Sequence, residues 1–581
     1  MKLRTHNCGE LRKENENNTV KLAGWVEGLR LHGKVAFINL RDRYGITQVV
    51  VKEDSLLEEI KAIGNEWVIA VTGKVVSRPT GMENLKMDTG QIDVEAEKIE
   101  ILSNSAVPPF VITDEITAKD ELRLKYRYLD LRRISMQKAI IFKSKLMYLI
   151  SEHLQSQDFI NVETPLLGRS TPEGARDFLV PSRIHKGKFY SLVQSPQIYK
   201  QLLMIAGFEK YYQFARCMRD EDQRKDRQPE FTQLDIELSF IDEEEIFVLI
   251  EKLMQYVFSK LCNIQLNIPL RRMTYNEALE TYGSDKPDLR YELYLKDVTE
   301  LCHKTDFNIF KSAQAVKCLF FETDVSRKMI AEFENVAKGY GMGLGWLKYA
   351  DNTFSGSVAK FFNPEALKEL ENLTGSKPGS LLFVAGERKR ANEALGGIRN
   401  YIINNYLLQR PGQYEFTWIT DFPMFDRDAV TKKLVTAHHA FVTPKDETNM
   451  ESNPDATIGR LYDLVLNGVE LGSGSIRPHT RELQEKILGV VGMDAESREA
   501  NFGCLLKALE YGAPPHGGIA LGVDRFTAIL LGMNSIQDVI AFPKTLSGVG
   551  LLEDIPSEAT EAQLEELSIK IKKDEQTKNI S

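Results

Sequence analysis

Short runs of alternating hydrophobic and polar residues characterise the first part of the chain, between residues 19 and 101. Glycine and polar turn residues separate five such runs, TVKLAGWV, KVAFINLRD, TQVVVK, WVIAVTGKVV and QIDVEAEKIEIL. Alternation with a period of two is typical of β-strands that bury one face. Five strands in so short a segment predict a small barrel, and the OB-fold is a five-stranded barrel that commonly binds single-stranded nucleic acid.

The pattern changes after the predicted barrel. Residues 104–133, which contain VPPF, show little periodicity and predict a linker, whereas residues 134–157 have helical periodicity. The strand-like segments FINVETP, KFYSL, YYQFARCM and EFTQLDIELSF then follow at short intervals. Because no crossover helix separates the later strands, they predict an antiparallel sheet flanked by helices rather than a doubly wound parallel sheet.

A further change occurs at residues 287–417, where helical and strand patterns alternate and predict an inserted domain. The predicted fold class is therefore multidomain α+β. The predicted parts are an OB-fold domain (1–103), a linker (104–133), a sheet domain in two pieces (134–286 and 418–556) around the inserted domain (287–417), and a charged helix or tail (557–581).

Composition narrows the possible functions. The 581 residues include 74 basic and 83 acidic side chains, which gives a formal net charge of −9. This charge excludes non-specific binding of nucleic acid by an overall positive potential of the chain. Six scattered cysteines without a C-x-x-C pair indicate neither a zinc cluster nor a disulfide framework. We expect a cytoplasmic protein without a membrane span, because the sequence has no apolar leader and no run of about 18 apolar residues.

The densest charged segment is RCMRDEDQRKDR at residues 216–227, between two strand patterns rich in aromatic residues. Taken alone, such a segment is usually a solvated hairpin loop. The sequence contains neither a P-loop motif nor a Rossmann fingerprint. Any ATP site must therefore be built in another way.

Three separated segments give this loop a different meaning. FINVETP, FARCMRDEDQRKDRQPEFTQLD and GGIALGVDRF, in this order, resemble motifs 1, 2 and 3 of the class II aminoacyl-tRNA synthetases. TPEGARDF, QSPQIYKQLL, the His438–His439 pair, GSGSIR and the N-terminal GWV…FINLRDRYG…Q extend the resemblance to bacterial-type aspartyl-tRNA synthetases along nearly the whole chain.

The resemblance implies a homodimer formed partly through motif 1, an OB-fold that binds the anticodon, and a class II catalytic domain with a large insertion. The implied activity is a ligase reaction, in which ATP activates L-aspartate to aspartyl-adenylate. The aspartyl group is then transferred to tRNA(Asp), with tRNA(Asn) as an open second acceptor.

The resemblance also assigns residues to ATP. A planar guanidinium can hold carboxylate and α-phosphate oxygens together, which suits Arg219 in motif 2. Arg219, Arg525 and Glu470 are the implied catalytic residues, and Mg²⁺ is the implied cofactor, held with the phosphates by Asp463 and Glu470. The implied ATP-binding residues are Arg219, Glu221, Gln228, Glu470, Gly522, Asp524 and Arg525.

The implied aspartate-binding residues are Glu173, Ser195, Gln197, Lys200, Arg219, Asp235, His438 and Arg477. A substrate carboxylate needs fixed cations, and Lys200 and Arg477 occupy the family positions that supply them. His438 has an ordinary alternative as a solvated or core histidine. The family usually has HHPFT where this chain has HHAFV, so this loop departs from the pattern.

In the barrel, the residues that match anticodon-contacting positions are Arg30, Phe37, Gln48 and Asp93. By itself an aromatic residue on a strand, such as Phe37, is more often a core residue. His32 and Gly33 occupy a turn where His is associated with relatives that also charge tRNA(Asn). A plain polar hairpin turn is the alternative.

Two other functions compete with this interpretation. Asparaginyl- and lysyl-tRNA synthetases share the architecture, but the insertion and the Lys200–Arg477 pair argue against both. A catalytically inactive paralogue that binds RNA or a regulatory ligand is the second alternative. The presence of Arg219, Glu221 and Arg525 disfavours it, because contacts to ATP would be lost first.

Overall fold

The computed structural model describes residues 3–171, 174–410, 412–428 and 430–572. The chain divides into two compact units. The first contains the residues up to 142 together with 537–557, and the second contains 143–536 and the residues from 558 onward. Each unit has hydrophobic clusters of its own.

The first unit contains a closed barrel in which the strands follow the order β1-β2-β3-β5-β4. Its elements are β1 (Thr19–His32), β2 (Val35–Asp42), β3 (Gly45–Val51), α1 (Asp54–Ile60), β4 (Val68–Ser77) and β5 (Ile92–Ser103). β3 and β5 pair in parallel, and the other neighbours are antiparallel. The predicted five-stranded OB-fold is confirmed, while the short helix α1 was not predicted.

Alternation along the strands builds the barrel core. In β2, Ala36, Ile38 and Leu40 are fully buried and belong to the core cluster, whereas Phe37 between them is only partly buried. The turn from β1 to β2 is closed by Gly33 at φ +61°, a conformation that favours glycine.

A buried acid organises the segment before the long helix of this unit. α2 (Asp120–Lys125) and α3 (Arg127–Asp130) precede the long helix α4 (Ile134–Gln155). Asp130 is fully buried and accepts hydrogen bonds from the guanidinium groups of Arg123, Arg127 and Arg133. Burial acts to raise the pKa of Asp130, but the three arginines outweigh it and hold the pKa below its ordinary value.

The second unit is built on an eight-stranded sheet with the order β12-β18-β21-β22-β23-β11-β10-β6. Its first elements are β6 (Ile160–Asn161), β7 (Leu167–Gly168), β8 (Leu179–Pro181), β9 (Phe189–Leu192), α5 (Gln197–Ile205), β10 (Lys210–Met218), β11 (Glu230–Ser239), α6 (Glu243–Val257), β12 (Arg271–Thr274) and α7 (Tyr275–Tyr282). The sheet is antiparallel except for the pairs β6–β10 and β12–β18 near its two edges.

A second, five-stranded antiparallel sheet with the order β13-β14-β17-β15-β16 lies within the middle of the chain. Its elements are β13 (Leu295–Asp297), α8 (Thr299–His303), α9 (Asn308–Ser312), β14 (Ala315–Phe321), α10 (Arg327–Gly339), β15 (Gly345–Ala350), β16 (Thr353–Ser355), α11 (Pro364–Thr374), β17 (Gly379–Gly386) and α12 (Arg388–Tyr406). Residues of α10 and α12 pack on this sheet in one hydrophobic cluster.

The chain then returns to the large sheet. The remaining elements are β18 (Phe416–Thr420), β19 (Phe425–Arg427), β20 (Leu434–Thr436), β21 (Leu461–Leu466), β22 (Val469–Arg477), α13 (Arg481–Val490), α14 (Ala495–Leu509), β23 (His516–Gly522), α15 (Val523–Leu530) and α16 (Glu561–Leu567). The predicted α+β fold class is confirmed. In the described parts of the chain, no helix has the length and apolar character that crossing a bilayer requires.

Candidate active site

An open cavity of about 590 Å³ lies against the middle of the eight-stranded sheet, bordered by α5, β11, β22, β23 and α15. Most of the predicted site residues line it: Ser195, Gln197, Lys200, Arg219, Glu221, Gln228, Asp235, His438, Glu470, Arg477, Gly522, Asp524 and Arg525. Asp463, on β21, is fully buried and does not line the cavity. Glu173 lies outside the described residues.

Two cations and two anions form a buried network at the floor of the cavity. The Lys200 Nζ lies 3.0 Å from Oδ1 of Asp235 and 3.4 Å from Oε2 of Glu237. The guanidinium of Arg477 donates two hydrogen bonds to Glu237, at 2.9 and 3.2 Å. Asp235 and Glu237 lie on β11 and Arg477 ends β22, and the sheet holds them in register through β23, which pairs with both strands.

Burial and pairing act in opposite directions on these groups. Burial acts to raise the pKa of Glu237, but Arg477 and Lys200 outweigh it and hold the pKa below its ordinary value. Burial raises the pKa of Asp235, and Lys200 only partly offsets this effect. The second oxygen of Asp235, Oδ2, has no hydrogen-bond partner among the described residues. A buried acceptor of this kind, on a residue that lines the cavity, can accept a donor from a ligand.

Two adjacent histidines border the network. His439 is half-buried, and the loss of solvation around its ring lowers its pKa well below the ordinary value, with Arg477 acting in the same direction. Its Nδ1 accepts a hydrogen bond from the Phe441 backbone N–H, at 3.1 Å. Burial also lowers the pKa of His438, whose ring packs edge-on against Phe422. His439 is therefore a neutral residue beside Arg477, and His438 is the histidine nearer to Glu470.

Arg219 reaches the cavity from the end of strand β10. Its guanidinium lies over the ring of Phe231 at 5.1 Å, and its backbone N–H donates to the Pro229 carbonyl at 2.9 Å. In the following loop, Glu221 pairs with Arg227 at 2.7 Å. The charged segment at residues 216–227 therefore presents Arg219 to the cavity, with its guanidinium stacked on the ring of Phe231.

Helix α15 begins at the edge of the cavity, directly after β23. Arg525 donates a hydrogen bond of 2.6 Å to the backbone carbonyl of Glu470. The Asp524 carboxylate accepts from the Thr232 backbone N–H at 2.8 Å and pairs with Lys143. Asp524 therefore lines the cavity while its carboxylate joins β11 and α4 to α15.

Two carboxylates lie close together beside β22. Neither oxygen of Asp463 has a hydrogen-bond partner among the described residues, although the side chain is fully buried. Burial raises its pKa well above the ordinary value, and Glu470 adds to the effect. Burial also acts to raise the pKa of Glu470. The Lys286 ammonium, 2.7 Å away, outweighs this effect and holds the pKa of Glu470 below its ordinary value.

This pair fits a divalent cation that arrives with other ligands. Within the described ranges, no cluster of three or more metal-ligating side chains occurs. Mg²⁺ commonly takes one or two protein carboxylates and completes its shell with phosphate oxygens and water. The unpartnered oxygens of Asp463 and the adjacent Glu470 suit such a site.

In the barrel, three of the four predicted nucleic-acid residues, Arg30, Phe37 and Gln48, are exposed or partly exposed, whereas Asp93 is buried. Arg30 on β1 is exposed and is the direct cross-strand partner of Phe37 on β2. Gln48 on β3 is partly buried. Asp93 is buried, and its carboxylate is held by Arg78 at 2.8 Å. Burial raises the pKa of Asp93, and Arg78 opposes this effect.

Residues 119–546 match the family of class II tRNA synthetases (D, K and N). The chain belongs to this family. Residues 20–102 match the family of OB-fold nucleic acid binding domains. The predicted class II synthetase with an OB-fold domain is therefore confirmed.

Relatives of this class II synthetase extend over its full length. It is 48% identical over 585 residues to the aspartate–tRNA(Asp/Asn) ligase of Treponema denticola, which covers 98% of this chain and 99% of the relative. It is 46% identical over 589 residues to the protein of the same name from Desulfatibacillum aliphaticivorans, with 98% of each chain covered. The resemblance to bacterial-type aspartyl-tRNA synthetases is confirmed.

Solved structures share the fold of this synthetase. The asparaginyl-tRNA synthetase of Pyrococcus horikoshii, complexed with asparaginyl-adenylate, matches with a TM-score of 0.59 at 20% identity, over 93% of this chain and 98% of that chain. A putative aspartyl-tRNA synthetase from Leishmania major matches with a TM-score of 0.59 at 17% identity, over 94% of each chain.

Three residues of the cavity were missed by sequence reasoning. Phe231, whose ring stacks with the Arg219 guanidinium, belongs to the segment EFTQLDIELSF, in which the sequence pattern indicates only a strand. His439 was treated only as the neighbour of His438. Lys286 stands at the predicted boundary of the inserted domain, where no motif marks it.

Proposed function

We propose that this protein is an aspartate–tRNA ligase that activates L-aspartate with ATP and transfers it to tRNA(Asp) and tRNA(Asn). The observation that carries the proposal is the buried pair of cations, Lys200 and Arg477, at the floor of the cavity. The names of the full-length relatives support the same substrates.

The floor network suits an amino acid that carries a carboxylate side chain. Arg477 is fixed from behind by Glu237 and by Ser475, whose hydroxyl lies 2.7 Å from its Nη1. A preorganised guanidinium can bind a carboxylate with two parallel hydrogen bonds. The unpartnered Oδ2 of Asp235 is available for the substrate ammonium group. Asparagine lacks the charge that the cations bind, and a lysine side chain would meet like charge.

In the activation step, an oxygen of the aspartate α-carboxylate attacks the α-phosphorus of ATP. The bond between this phosphorus and the bridging oxygen to the β-phosphate breaks, and pyrophosphate leaves with its electron pair. Arg219 stabilises the charge on the α-phosphate, and Arg525 binds the phosphates at the opposite side. Stabilisation of developing charge by fixed groups of this kind supplies about 3–4 kcal/mol per donor.

Mg²⁺ bound by Asp463, Glu470 and the ATP phosphates would supply positive charge to the leaving pyrophosphate. The two carboxylates would hold this cation, and Arg219 would stabilise the charge on the α-phosphate. No side chain of the enzyme needs to form a covalent intermediate with the substrate. Catalysis therefore consists of positioning and electrostatic stabilisation.

In the transfer step, a hydroxyl oxygen of the terminal ribose attacks the carbonyl carbon of the adenylate. The bond from this carbon to the phosphate oxygen breaks, AMP leaves, and the proton of the hydroxyl passes to the released phosphate or to water. The outer surface of the barrel, with Arg30, Phe37 and Gln48, would bind the anticodon by stacking and charge. Translation places this activity in the cytoplasm, and a homodimer formed through the motif 1 segment is the assembly that we propose.

The decisive experiment is ATP–pyrophosphate exchange with aspartate, asparagine or lysine, followed by charging of purified tRNA(Asp) and tRNA(Asn). Exchange with aspartate alone supports the assignment of the pocket. Exchange with asparagine or lysine instead would overturn it, and no exchange from a folded preparation would favour a paralogue that only binds RNA. Charging of tRNA(Asn) tests the interpretation of His32, and its absence would leave that residue as a polar turn residue.

A further inference from the structure

Lys286 forms an ion pair with a carboxylate of the active site from an unexpected part of the chain. It lies in the loop after α7, and its Nζ is 2.7 Å from Oε2 of Glu470. The Lys286 and Glu470 side chains are 40% and 27% exposed, so the pair is open to the cavity that both residues line. Lys286 belongs to none of the predicted sets of ATP-binding, aspartate-binding or metal-binding residues.

Acidic side chains surround the Lys286 ammonium. Burial acts to lower the pKa of Lys286, but Glu470, with Asp285 and Asp463, outweighs it and raises the pKa. Arg525 binds the backbone carbonyl of Glu470 rather than its carboxylate. Among the described residues, Lys286 is therefore the cation that pairs directly with the Glu470 carboxylate.

The loop that carries Lys286 is held in place by the inserted domain. Arg399 on α12 is fully buried and donates hydrogen bonds to the backbone carbonyls of Asp288, Tyr291 and Leu293, at 2.7 to 3.1 Å. These anchors follow Lys286 within a few residues. These hydrogen bonds hold the backbone that follows Lys286 in place, and the ion pair with Glu470 positions the ammonium group.

The same loop also touches the hairpin that carries Glu470. Gly468 lies in the turn between β21 and β22, where a Cβ atom would come within 3.0 Å of the Asp288 Cβ. Two points of contact, Asp288 with Gly468 and Lys286 with Glu470, therefore join the loop to the hairpin. The ion pair is a built feature of the cavity and not a chance contact between two mobile side chains.

We propose that Lys286 is the internal counter-ion of the Asp463–Glu470 pair, which keeps a free divalent cation out until ATP brings one. Its ammonium offsets the charge of the Glu470 carboxylate in the nucleotide-free enzyme. When the cation arrives with ATP, Glu470 exchanges the ammonium for the metal, and Lys286 is released to face the phosphates. This inference rests on the proposed function, because it takes Mg²⁺ with ATP as the substrate form.

The test compares Lys286→Met and Lys286→Arg with Lys445→Met as a matched control. Lys445 forms a similarly exposed ion pair with Asp421 in the same unit, but it does not line the cavity. Binding of Mn²⁺ alone, as a spectroscopic substitute for Mg²⁺, is measured by electron paramagnetic resonance without ATP, aspartate or tRNA. We expect roughly tenfold tighter Mn²⁺ binding by Lys286→Met, because one repelling charge is removed. Lys286→Arg and Lys445→Met should bind Mn²⁺ like the parent protein.

A kinetic readout separates this role from a structural one. In Lys286→Met the KM for ATP should rise several-fold at fixed free Mg²⁺ while the KM for aspartate stays unchanged, and Lys286→Arg should restore the KM for ATP. Unchanged Mn²⁺ affinity in folded Lys286→Met overturns the proposal, as does an equal change in Lys445→Met. If the methionine variant does not fold, Lys286→Gln provides the same comparison. Aspartate-dependent exchange of the parent protein is measured separately, so a failure of the proposed function is distinguishable.

Discussion

Glu237 and Arg477 form a two-pronged ion pair at the floor of the cavity, with N–O distances of 2.9 and 3.2 Å. Both side chains are almost completely buried. A buried pair of this kind contributes little net stability, but removal of one partner leaves an uncompensated charge in the interior. The pair therefore constrains both the fold and the pocket.

Glu237→Gln should reduce the free energy of unfolding by about 3–5 kcal/mol, because Arg477 keeps its charge and loses its partner. The measurement is chemical denaturation at neutral pH. Asp455→Asn removes one partner of the half-exposed ion pair with Arg427 and should cost less than about 1 kcal/mol. Equal losses in both variants would contradict the assignment of Glu237 as the anchor of Arg477.

Arg219→Ala should lower aspartate-dependent ATP–pyrophosphate exchange by at least about 100-fold and leave tRNA binding intact. The reason is that its guanidinium is the group placed to bind the carboxylate and α-phosphate oxygens together. Arg216→Ala is the control, since Arg216 lies on the same strand but pairs with Glu230 outside the cavity. Exchange that persists in Arg219→Ala would remove this residue from the mechanism.

Phe37→Ala should raise the KM for tRNA while exchange is unaffected. The loss of one stacked base costs about 1–3 kcal/mol, which corresponds to a factor of about 5 to 150. Tyr44→Ala removes an exposed aromatic residue of the same barrel and should leave the KM unchanged. If Phe37→Ala instead lowers the melting temperature and leaves the KM alone, Phe37 is a packing residue.

His439 should make the stability of the protein depend on pH. Its pKa lies below the ordinary value in the folded state, so the unfolded chain binds a proton that the folded chain does not. Stability contributed by the neutral ring is present above the ordinary pKa of about 6.5 and is lost as the pH falls below it, by at most about 1.4 kcal/mol per pH unit. Denaturation between pH 5 and pH 8 in His439→Asn should show a smaller loss toward acid than the parent protein.

The matched control is His32→Asn, because His32 is exposed in the turn between β1 and β2. This variant should keep the acid-dependent loss of the parent protein. Burial also lowers the pKa of His438 and of His516, so part of the pH dependence should remain in His439→Asn. An identical pH profile in His439→Asn and the parent protein would contradict the prediction.

Alternation along the chain was sufficient to predict β10 and β11. In β11, apolar Leu234, Ile236 and Leu238 alternate with polar residues, of which Gln233 and Asp235 line the cavity. Helix α1 was missed because its seven residues are too few to establish a helical period. The parallel pairs at the sheet edges were not anticipated, since pairing depends on partners distant in sequence.

The site itself was predicted only where it carries family motifs. Arg219, Glu470 and Arg525 lie in such motifs, and the structure brings them to one cavity. The pairing of Lys286 with Glu470 could not be predicted, because it depends on the packing of α12, through Arg399, against the loop after α7. The engagement of Asp524 with Lys143 and Thr232 was equally invisible, since it is set by the approach of α4 to α15.

The hydrogen bonds of Arg127 have a consequence for the order in which the chain folds during its synthesis. Its guanidinium binds the backbone carbonyls of Gln537, Ile540 and Ala541, at 2.9 to 3.0 Å. The barrel emerges from the ribosome early and contains all of its own strands. The carbonyls that bind Arg127 are synthesised 410 to 414 residues after it, so the segment around Arg127 reaches its final packing only after most of the chain has been translated.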